Sequence, residues 1–194
     1  MKERLDHRII CDIVEKGSRV LDLGCGDGSL MSLLVRERNA SVQGIEMDGE
    51  ALHQCVEKGL TVFQGDIESG LADYPDDSFD FVILNQSMQE VRKVDLVISE
   101  SLRVGRMVIV GFPNFAHLPS RWTMFFRGKT PVTKSLPYCW YETPNVRSLS
   151  IRDFKEFCRN KGLRVLKAVY LGAGRTLTCC PNLLARNAIF AVTR

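Results

Sequence analysis

A glycine-rich loop after the first predicted strand constrains the fold of this chain more than any other feature. The strand is Arg19-Val20-Leu21-Asp22-Leu23, and the loop contains Gly24, Gly26 and Gly28. A helix-forming pattern resumes from Ser29 to Val35. Glycine at a first βα turn permits a tight turn and a close approach of the backbone to a ligand. The sequence therefore predicts an α/β domain with a ligand-binding loop.

The first 111 residues alternate strand-like and helical patterns at short spacing, which predicts βαβ units. Predicted helices cover residues 5–14, 29–35, 48–58, 94–102 and about 152–161, and predicted strands cover 19–23, 41–46, 60–64, 79–84, 107–110, 163–171 and 188–192. A chain of 194 residues has room for one hydrophobic core. We therefore expect a single domain over residues 1–194, with a Rossmann-like fold, a mostly parallel seven-stranded sheet and helices on both faces.

Residues 112–150 interrupt this rhythm. They hold five of the seven prolines and eight of the sixteen aromatic residues, including Phe112, Trp122 and Tyr141. A loop of this length in a compact domain is usually functional or disordered, and the aromatic content argues against disorder. We expect an insertion that forms an aromatic lid and docking surface over the ligand pocket. The alternative is that these aromatic residues seal the edge of the sheet.

The net charge of +3 conceals an asymmetry along the chain. Residues 1–111 carry 12 Lys and Arg against 20 Asp and Glu, a net of −8, whereas residues 112–194 carry 14 against 3, a net of +11. Such a split indicates either a surface for an acidic partner or charges dispersed over the surface. Nucleic acid is a poor candidate partner because no recognition module accompanies the basic half.

Cysteine usage and hydropathy bear on the compartment. Seven scattered cysteines without metal-ligand spacing predict reduced thiols and no metal site. The adjacent Cys179 and Cys180 are candidates for a redox switch, although vicinal cysteines in a cytosolic chain are more often ordinary residues. The first eight residues are charged and lack the apolar core of a secretion signal, and no segment has a continuous apolar span. We expect a cytoplasmic protein that does not cross a membrane.

Three acidic residues follow three successive predicted strands. Asp22, Glu46 and Asp66 lie at strand carboxyl ends, which is the edge where open α/β sheets bind ligands. Glu46 lies twenty positions after Gly26, where Rossmann-type folds place an acid that accepts hydrogen bonds from ribose hydroxyls. Asp22 favours an ammonium group over a pyrophosphate beside the loop. Asp66 is positioned to accept from an adenine amino group, which predicts a ligand with amino-acid, ribose and base parts.

These motifs resemble those of the class I S-adenosylmethionine-dependent methyltransferases. The matching runs are Val20-Leu21-Asp22-Leu23-Gly24-Cys25-Gly26-Asp27-Gly28, Gly44-Ile45-Glu46-Met47-Asp48, Gly65-Asp66-Ile67 and Ser78-Phe79-Asp80-Phe81-Val82-Ile83-Leu84. The resemblance implies that S-adenosylmethionine or S-adenosylhomocysteine binds here, with the glycine loop at the methionine end. The implied cofactor-binding residues are Asp22, Gly24, Cys25, Gly26, Gly28, Glu46, Met47, Asp66, Ile67, Asn85 and Gln86, the last two near the sulfonium.

A closer resemblance, to the MetW family, covers nearly the whole chain. It is carried by Asn85-Gln86-Ser87-Met88-Gln89, Leu102-Arg103-Val104-Gly105-Arg106, Phe112-Pro113-Asn114-Phe115-Ala116-His117 and Leu136-Pro137-Tyr138-Cys139-Trp140-Tyr141-Glu142-Thr143-Pro144-Asn145. Asn85 departs from the serine found at this point in the family. The resemblance implies a small bacterial methyltransferase-like protein of methionine biosynthesis that associates with homoserine O-acyltransferase.

Two functions remain open at this point. The chain is either a subunit that binds S-adenosylmethionine and modulates the acyltransferase, or an enzyme that methylates a small acceptor. The glycine spacing, G-x-G-x-G, argues against a nicotinamide-dependent oxidoreductase. The catalytic residues are unknown: His117 is a candidate base because histidine titrates near neutrality, but a packing role is the more common one. Asn85 either orients an amine acceptor or ends its strand.

Overall fold

The computed structural model describes residues 4–194 of the chain, so the first three residues of the charged opening segment lie outside the described residues. One eight-stranded sheet has the order β3-β2-β1-β4-β5-β8-β6-β7. The strands are β1 Arg19–Leu23, β2 Ser41–Glu46, β3 Thr61–Gln64, β4 Phe79–Asn85, β5 Gly105–Pro113, β6 Arg164–Leu171, β7 Thr176–Leu177 and β8 Asn187–Thr193. The helices are α1 Leu5–Ile13, α2 Ser29–Arg38, α3 Gly49–Glu57, α4 Val94–Val104, α5 Leu118–Arg127, α6 Ile151–Asn160 and α7 Pro181–Leu184.

The first five strands are parallel, and helices form the crossovers between them except the one from β3 to β4, which contains no helix. The central strands β1 and β4 are apolar runs because both of their faces are covered. One hydrophobic cluster, which includes Leu23, Leu84 and Phe112, lies on one face of the sheet. A second, which includes Ile10, Leu34 and Ile83, lies on the other. The predicted α/β fold with a mostly parallel sheet is confirmed.

The last three strands are antiparallel, and one of them was not predicted. β8 pairs antiparallel with both β5 and β6. The two-residue strand β7 adds to β6 through Leu171 and Thr176, so that the sheet has eight strands and not seven. A two-residue strand leaves no apolar period in the sequence, which explains why the pattern did not reveal it.

The insertion at about residues 112–150 contains a helix, α5, which the sequence analysis did not predict. Pro119 stands in its first turn, and Gly128 ends it in the left-handed conformation. Phe112, which we expected in the lid, instead belongs to β5 and is fully buried, where its ring stacks on that of Phe190 at 5.9 Å. The expectation that residue 112 opens an exposed lid is therefore wrong.

All seven cysteines are free thiols in residues 4–194, and the Sγ atoms of the exposed pair Cys179 and Cys180 lie 3.6 Å apart. No described helix combines the length and apolar character that crossing a membrane requires. Within the same residues, no cluster of His, Cys, Asp or Glu is arranged to hold a metal ion.

Candidate functional site

A cleft with two adjoining chambers lies at the carboxyl edge of the parallel strands. We call them the loop chamber and the β3 chamber. The loop chamber is lined by Arg4, His7, Asp22, Gly24, Cys25, Gly26, Asp27, Leu30, Asn85 and Gln86. The β3 chamber is lined by Gly24, Ile45, Glu46, Met47, Gly65, Asp66, Ile67, Glu68, Gln86, Ser87, Glu90 and Val91. Gly24 and Gln86 border both chambers, so the two form one elongated site.

Glu46 organises the loop between the chambers. Its Oε2 accepts a hydrogen bond from the Gly26 N–H at 2.8 Å. Its Oε1 accepts from the N–H groups of Met47 at 2.9 Å and Asp48 at 3.0 Å. The Gly24 N–H donates to the Ile45 carbonyl at 2.8 Å, which ties the same loop to β2 a second time. The glycine loop is therefore held by β2 as well as by β1.

Asp22 is a buried carboxyl at the base of the loop chamber. Its side chain is 2% exposed. Burial, and then the nearby Glu46 carboxylate, raise the pKa of Asp22 from 3.8 to about 7. Both causes disfavour the charged form, so a cation that entered the chamber would relieve both. Burial and the Asp22 carboxylate also raise the pKa of the Cys25 thiol and keep it neutral.

The three glycines of the loop are required for different reasons. A Cβ on Gly24 would lie 2.8 Å from the Ser87 Cβ, and one on Gly28 would lie 2.8 Å from the Cys55 Sγ. A Cβ on Gly26 would meet no protein atom within 4 Å, although the φ of +55° still favours glycine. Gly24 and Gly28 are therefore needed for packing within the protein, whereas Gly26 faces open space in the cleft.

Residues of the segment 4–7, which the sequence analysis did not assign to the site, lie beside the predicted Asn85 at the loop chamber. Arg4 donates to both carboxylate oxygens of Asp6, at 3.2 Å and 2.6 Å. Asn85 Nδ2 donates to Asp6 Oδ2 at 3.2 Å. Burial alone would raise the pKa of Asp6, but the bonds from Arg4 and Asn85 lower it below its usual value. Because α1 packs over the end of β4, Arg4 and His7 line the chamber beside Asn85.

The β3 chamber presents acidic and apolar groups. Asp66 Oδ1 accepts from the Glu68 N–H at 2.8 Å, which fixes the turn after β3. Ile67 is partly buried against the core, whereas Met47 is 70% exposed. Burial, and then the Glu46 carboxylate, raise the pKa of Glu90, a lining residue that the sequence analysis missed. Glu90 directly follows the motif Asn85-Gln86-Ser87-Met88-Gln89. Its position next to this motif is the only indication in the sequence that Glu90 lies at the site.

The turn after β4 connects the cleft to the insertion. Gln86 has a φ of +63°, which is unusual outside glycine and clusters at functional sites. The Gln89 side-chain amide donates to the Gln86 carbonyl. The Gln89 carbonyl in turn accepts from the N–H groups of Val146 and Arg147, both at 3.0 Å. The end of the insertion is thus bonded to the floor of the cleft.

Ten of the eleven predicted cofactor-binding residues line the two chambers, and Gly28 lines neither. His117 also lines neither: it is 3% exposed, and its Nδ1 lies 2.9 Å from Ser120 Oγ. Burial lowers the pKa of His117. These contacts favour the packing role over that of a base. The lining of the two chambers also contains no aromatic side chain from residues 112–150, so the described insertion does not form a lid over them.

Sequence comparison decides the family. The family described as methionine biosynthesis protein MetW matches residues 4–192. The chain belongs to the MetW family. A Rhodopirellula baltica protein named bifunctional methionine biosynthesis protein MetXA/MetW is 33% identical over 204 aligned positions, which cover 98% of this chain and 33% of that protein. The chain spans less than two thirds of the length of the curated relatives that it matches.

Solved structures agree on the fold. An Archaeoglobus fulgidus S-adenosylmethionine-dependent methyltransferase superposes with a TM-score of 0.71 at 14% identity, covering 98% of this chain and 91% of that one. A Thermotoga maritima protein described as a possible histamine N-methyltransferase gives 0.71 at 18% identity, over 97% and 87% of the two chains. This MetW protein therefore has the class I methyltransferase fold. The family description associates its members with methionine biosynthesis.

The raised pKa of Asp22 predicts an unusual dependence of stability on pH. Between about pH 4 and 7 the folded state holds a proton that the unfolded chain has lost, so the free energy of unfolding falls as the pH rises. The Asp22→Asn variant carries no ionisable group there and should be more stable than wild type at pH 8, by about 2–4 kcal/mol. Urea denaturation at pH 5, 7 and 8 measures this difference.

Asp27→Asn is the matched control for this measurement. Asp27 lies in the same loop, but Ser29 and Lys58 outweigh partial burial and lower the pKa of its carboxyl. Its contribution is complete above its ordinary pKa and is lost only at lower pH, so the slope between pH 5 and 8 should not change. An Asp22→Asn variant with the wild-type slope would show that Asp22 ionises as an ordinary carboxyl.

Proposed function

We propose that this MetW protein binds S-adenosylmethionine, and its product S-adenosylhomocysteine, in the two-chamber cleft. The amino-acid part would occupy the loop chamber and the adenosine part the β3 chamber. The observation that carries the proposal is the buried Asp22 carboxyl, whose charged form lacks stabilisation until a cation arrives. The ammonium group of the ligand is such a cation, and the open space beside Gly26 suits the chain that bears it.

The β3 chamber supplies complementary groups for the rest of the ligand. Glu46 ends β2 in the position expected for an acid that accepts from ribose hydroxyls. Asp66 is exposed to the chamber and would accept from the adenine amino group, with Ile67 and Met47 against the base. Gln86 borders both chambers and Asn85 borders the loop chamber, so both would lie near the sulfonium. When bound, the ligand would supply an activated methyl group, and the residues named here would bind and orient it.

We further propose that the chain acts with homoserine O-acyltransferase in the cytoplasm. The support is the Rhodopirellula baltica relative, whose printed name joins MetXA and MetW in one chain. Residues 1–194 would form a single domain, because strands from before and after the insertion share one sheet. The basic C-terminal part of the chain would then meet a protein and not nucleic acid.

The alternative is an active methyltransferase on an unidentified small acceptor. The fold suits this reaction, and His7 and Asn85 line the loop chamber beside the proposed position of the methionine part. Such an enzyme would convert S-adenosylmethionine into S-adenosylhomocysteine without the acyltransferase. Incubation with labelled S-adenosylmethionine and a small-molecule extract of the host therefore distinguishes the two functions.

The Glu46→Ala variant tests the ribose assignment. Loss of charge-assisted hydrogen bonds should weaken S-adenosylmethionine binding by about 1.5–3 kcal/mol, which is roughly tenfold or more in Kd. Titration calorimetry with both ligands measures this change. Glu50→Ala, in the first turn of α3, removes an exposed acid nearby and should leave Kd unchanged. Equal affinities for wild type and Glu46→Ala would contradict the assignment.

A pair of glycine variants separates ligand contact from backbone strain. Gly26 and Gly162 have φ values of +55° and +67°, and a Cβ on either would meet no protein atom within 4 Å. Alanine at either position should therefore lower the free energy of unfolding by a similar 1–2 kcal/mol or so. Only Gly26→Ala should also weaken S-adenosylmethionine binding, because its methyl group would occupy the cleft. Normal binding by Gly26→Ala would show that the ligand does not approach this backbone.

The partnership is tested by acyltransferase assays with the purified chain. The homoserine O-acyltransferase of the same genome should change its rate when the chain is added, and the change should depend on S-adenosylmethionine. The Glu46→Ala variant should remove the dependence on S-adenosylmethionine but keep the effect of the chain. A rate that is indifferent to the chain at every ligand concentration would refute the proposed partnership and leave cofactor binding standing.

A further inference from the structure

The helix α5 turns its apolar face away from the protein. Leu118, Trp122, Phe125 and Phe126 are spaced at i, i+4, i+7 and i+8 and therefore share one face. Their exposed fractions are 46%, 58%, 83% and 61%. A surface helix normally directs such a face toward the core, yet the buried residue of α5 is Ser120, on the opposite side. We call these four residues the α5 face.

The aromatic rings of the α5 face pack against one another. The rings of Trp122 and Phe126 lie 4.1 Å apart, and those of Phe125 and Phe126 meet edge to face at 4.8 Å. The first turn of the helix is anchored by the contact of Ser120 with His117. Packed aromatic side chains lose little conformational freedom on binding, which favours their use as interface anchors. The face is thus organised before any partner arrives.

The charges around the α5 face define the partner that fits it. Arg121 and Arg127 lie within the helix, and Lys129 and Lys134 follow it, all four of them exposed. Glu142 is the only acidic residue between positions 112 and 150. A complementary surface has an apolar centre bordered by carboxylates. A symmetric pair of this chain would instead place basic residues against basic residues.

We propose that the α5 face is the docking surface for the acyltransferase, through an apolar patch with an acidic border. The inference rests on the proposed partnership and adds its location. Its basis is the exposed aromatic face with basic residues around it, which calls for an apolar partner surface with an acidic border, together with the relative whose printed name joins MetXA and MetW. The face lies outside the lining of the cofactor cleft, so docking leaves the cleft accessible.

Titration calorimetry with the purified full chain and the acyltransferase of the same genome tests the inference. Phe125→Asp should weaken association at least thirtyfold, and Trp122→Ala at least tenfold, as for central aromatic residues of interfaces. Leu96→Asp, on α4, places the same charge on an aliphatic helix residue of 43% exposure and should bind like wild type. The Tm and the S-adenosylmethionine affinity of all three variants should stay at the wild-type values.

Each contrary outcome is distinguishable. If the wild-type chain does not bind the acyltransferase, both the proposed partnership and the proposed docking surface are wrong. If the wild-type chain and Phe125→Asp bind the acyltransferase equally, the proposed docking surface is wrong, but the proposed partnership is not contradicted. Retained acyltransferase binding combined with loss of binding to phosphatidylglycerol vesicles, or with loss of self-association in size-exclusion chromatography, would reassign the face to a membrane or to a second copy.

A charge reversal keeps the test valid if an aromatic variant lowers the Tm. Arg121→Glu should weaken association and reduce its dependence on salt, since Arg121 lies four positions before Phe125 on the helix and so borders the α5 face. Unchanged affinity and salt dependence for Arg121→Glu would overturn the acidic-border model of the partner.

Discussion

The cleft depends on the carboxylate of Glu46. It accepts three backbone N–H groups at 2.8–3.0 Å, one from the glycine loop and two from the start of the turn to α3. Bonds of this kind to a charged group contribute about 1.5–3 kcal/mol each. The same negative charge contributes to the raised pKa values of Asp22 and Glu90 on either side. One side chain thus fixes the loop and disfavours further negative charge in the cleft.

The parallel half of the fold was predictable because strands that are buried on both faces consist of continuous apolar runs in the sequence. The bounds of β1 and β2 agree with the prediction to the residue. The helix α5 was missed although its apolar spacing was present, because the surrounding prolines and aromatic residues obscured the period. Its apolar face also turns outward, so it contributes nothing to the core pattern by which surface helices are usually recognised.

The candidate site also contains residues that the sequence predicted and residues that it did not. Asp22, Glu46 and Asp66 were predictable because each follows a strand directly, and strand ends converge at one edge of the sheet. The hydrogen bond between Asp6 and Asn85 was not predictable. The two residues are 79 positions apart, and only the folded position of α1 brings them together. His117 shows the reverse case: its side-chain type suggested chemistry, whereas its burial against Ser120 gives it a structural role.

The insertion is joined to the cleft at a second point, away from β5. Glu68, which lines the β3 chamber, accepts the Arg92 N–H at 2.6 Å, and Arg147 donates to the Arg92 carbonyl. Together with the bonds of Gln89, this gives residues 146–147 connections to both borders of the β3 chamber. Coupling between sites needs contiguous bonded elements that can adopt two arrangements. The described structure supplies the contiguous bonds, which link the lining of the β3 chamber to the segment that ends the insertion.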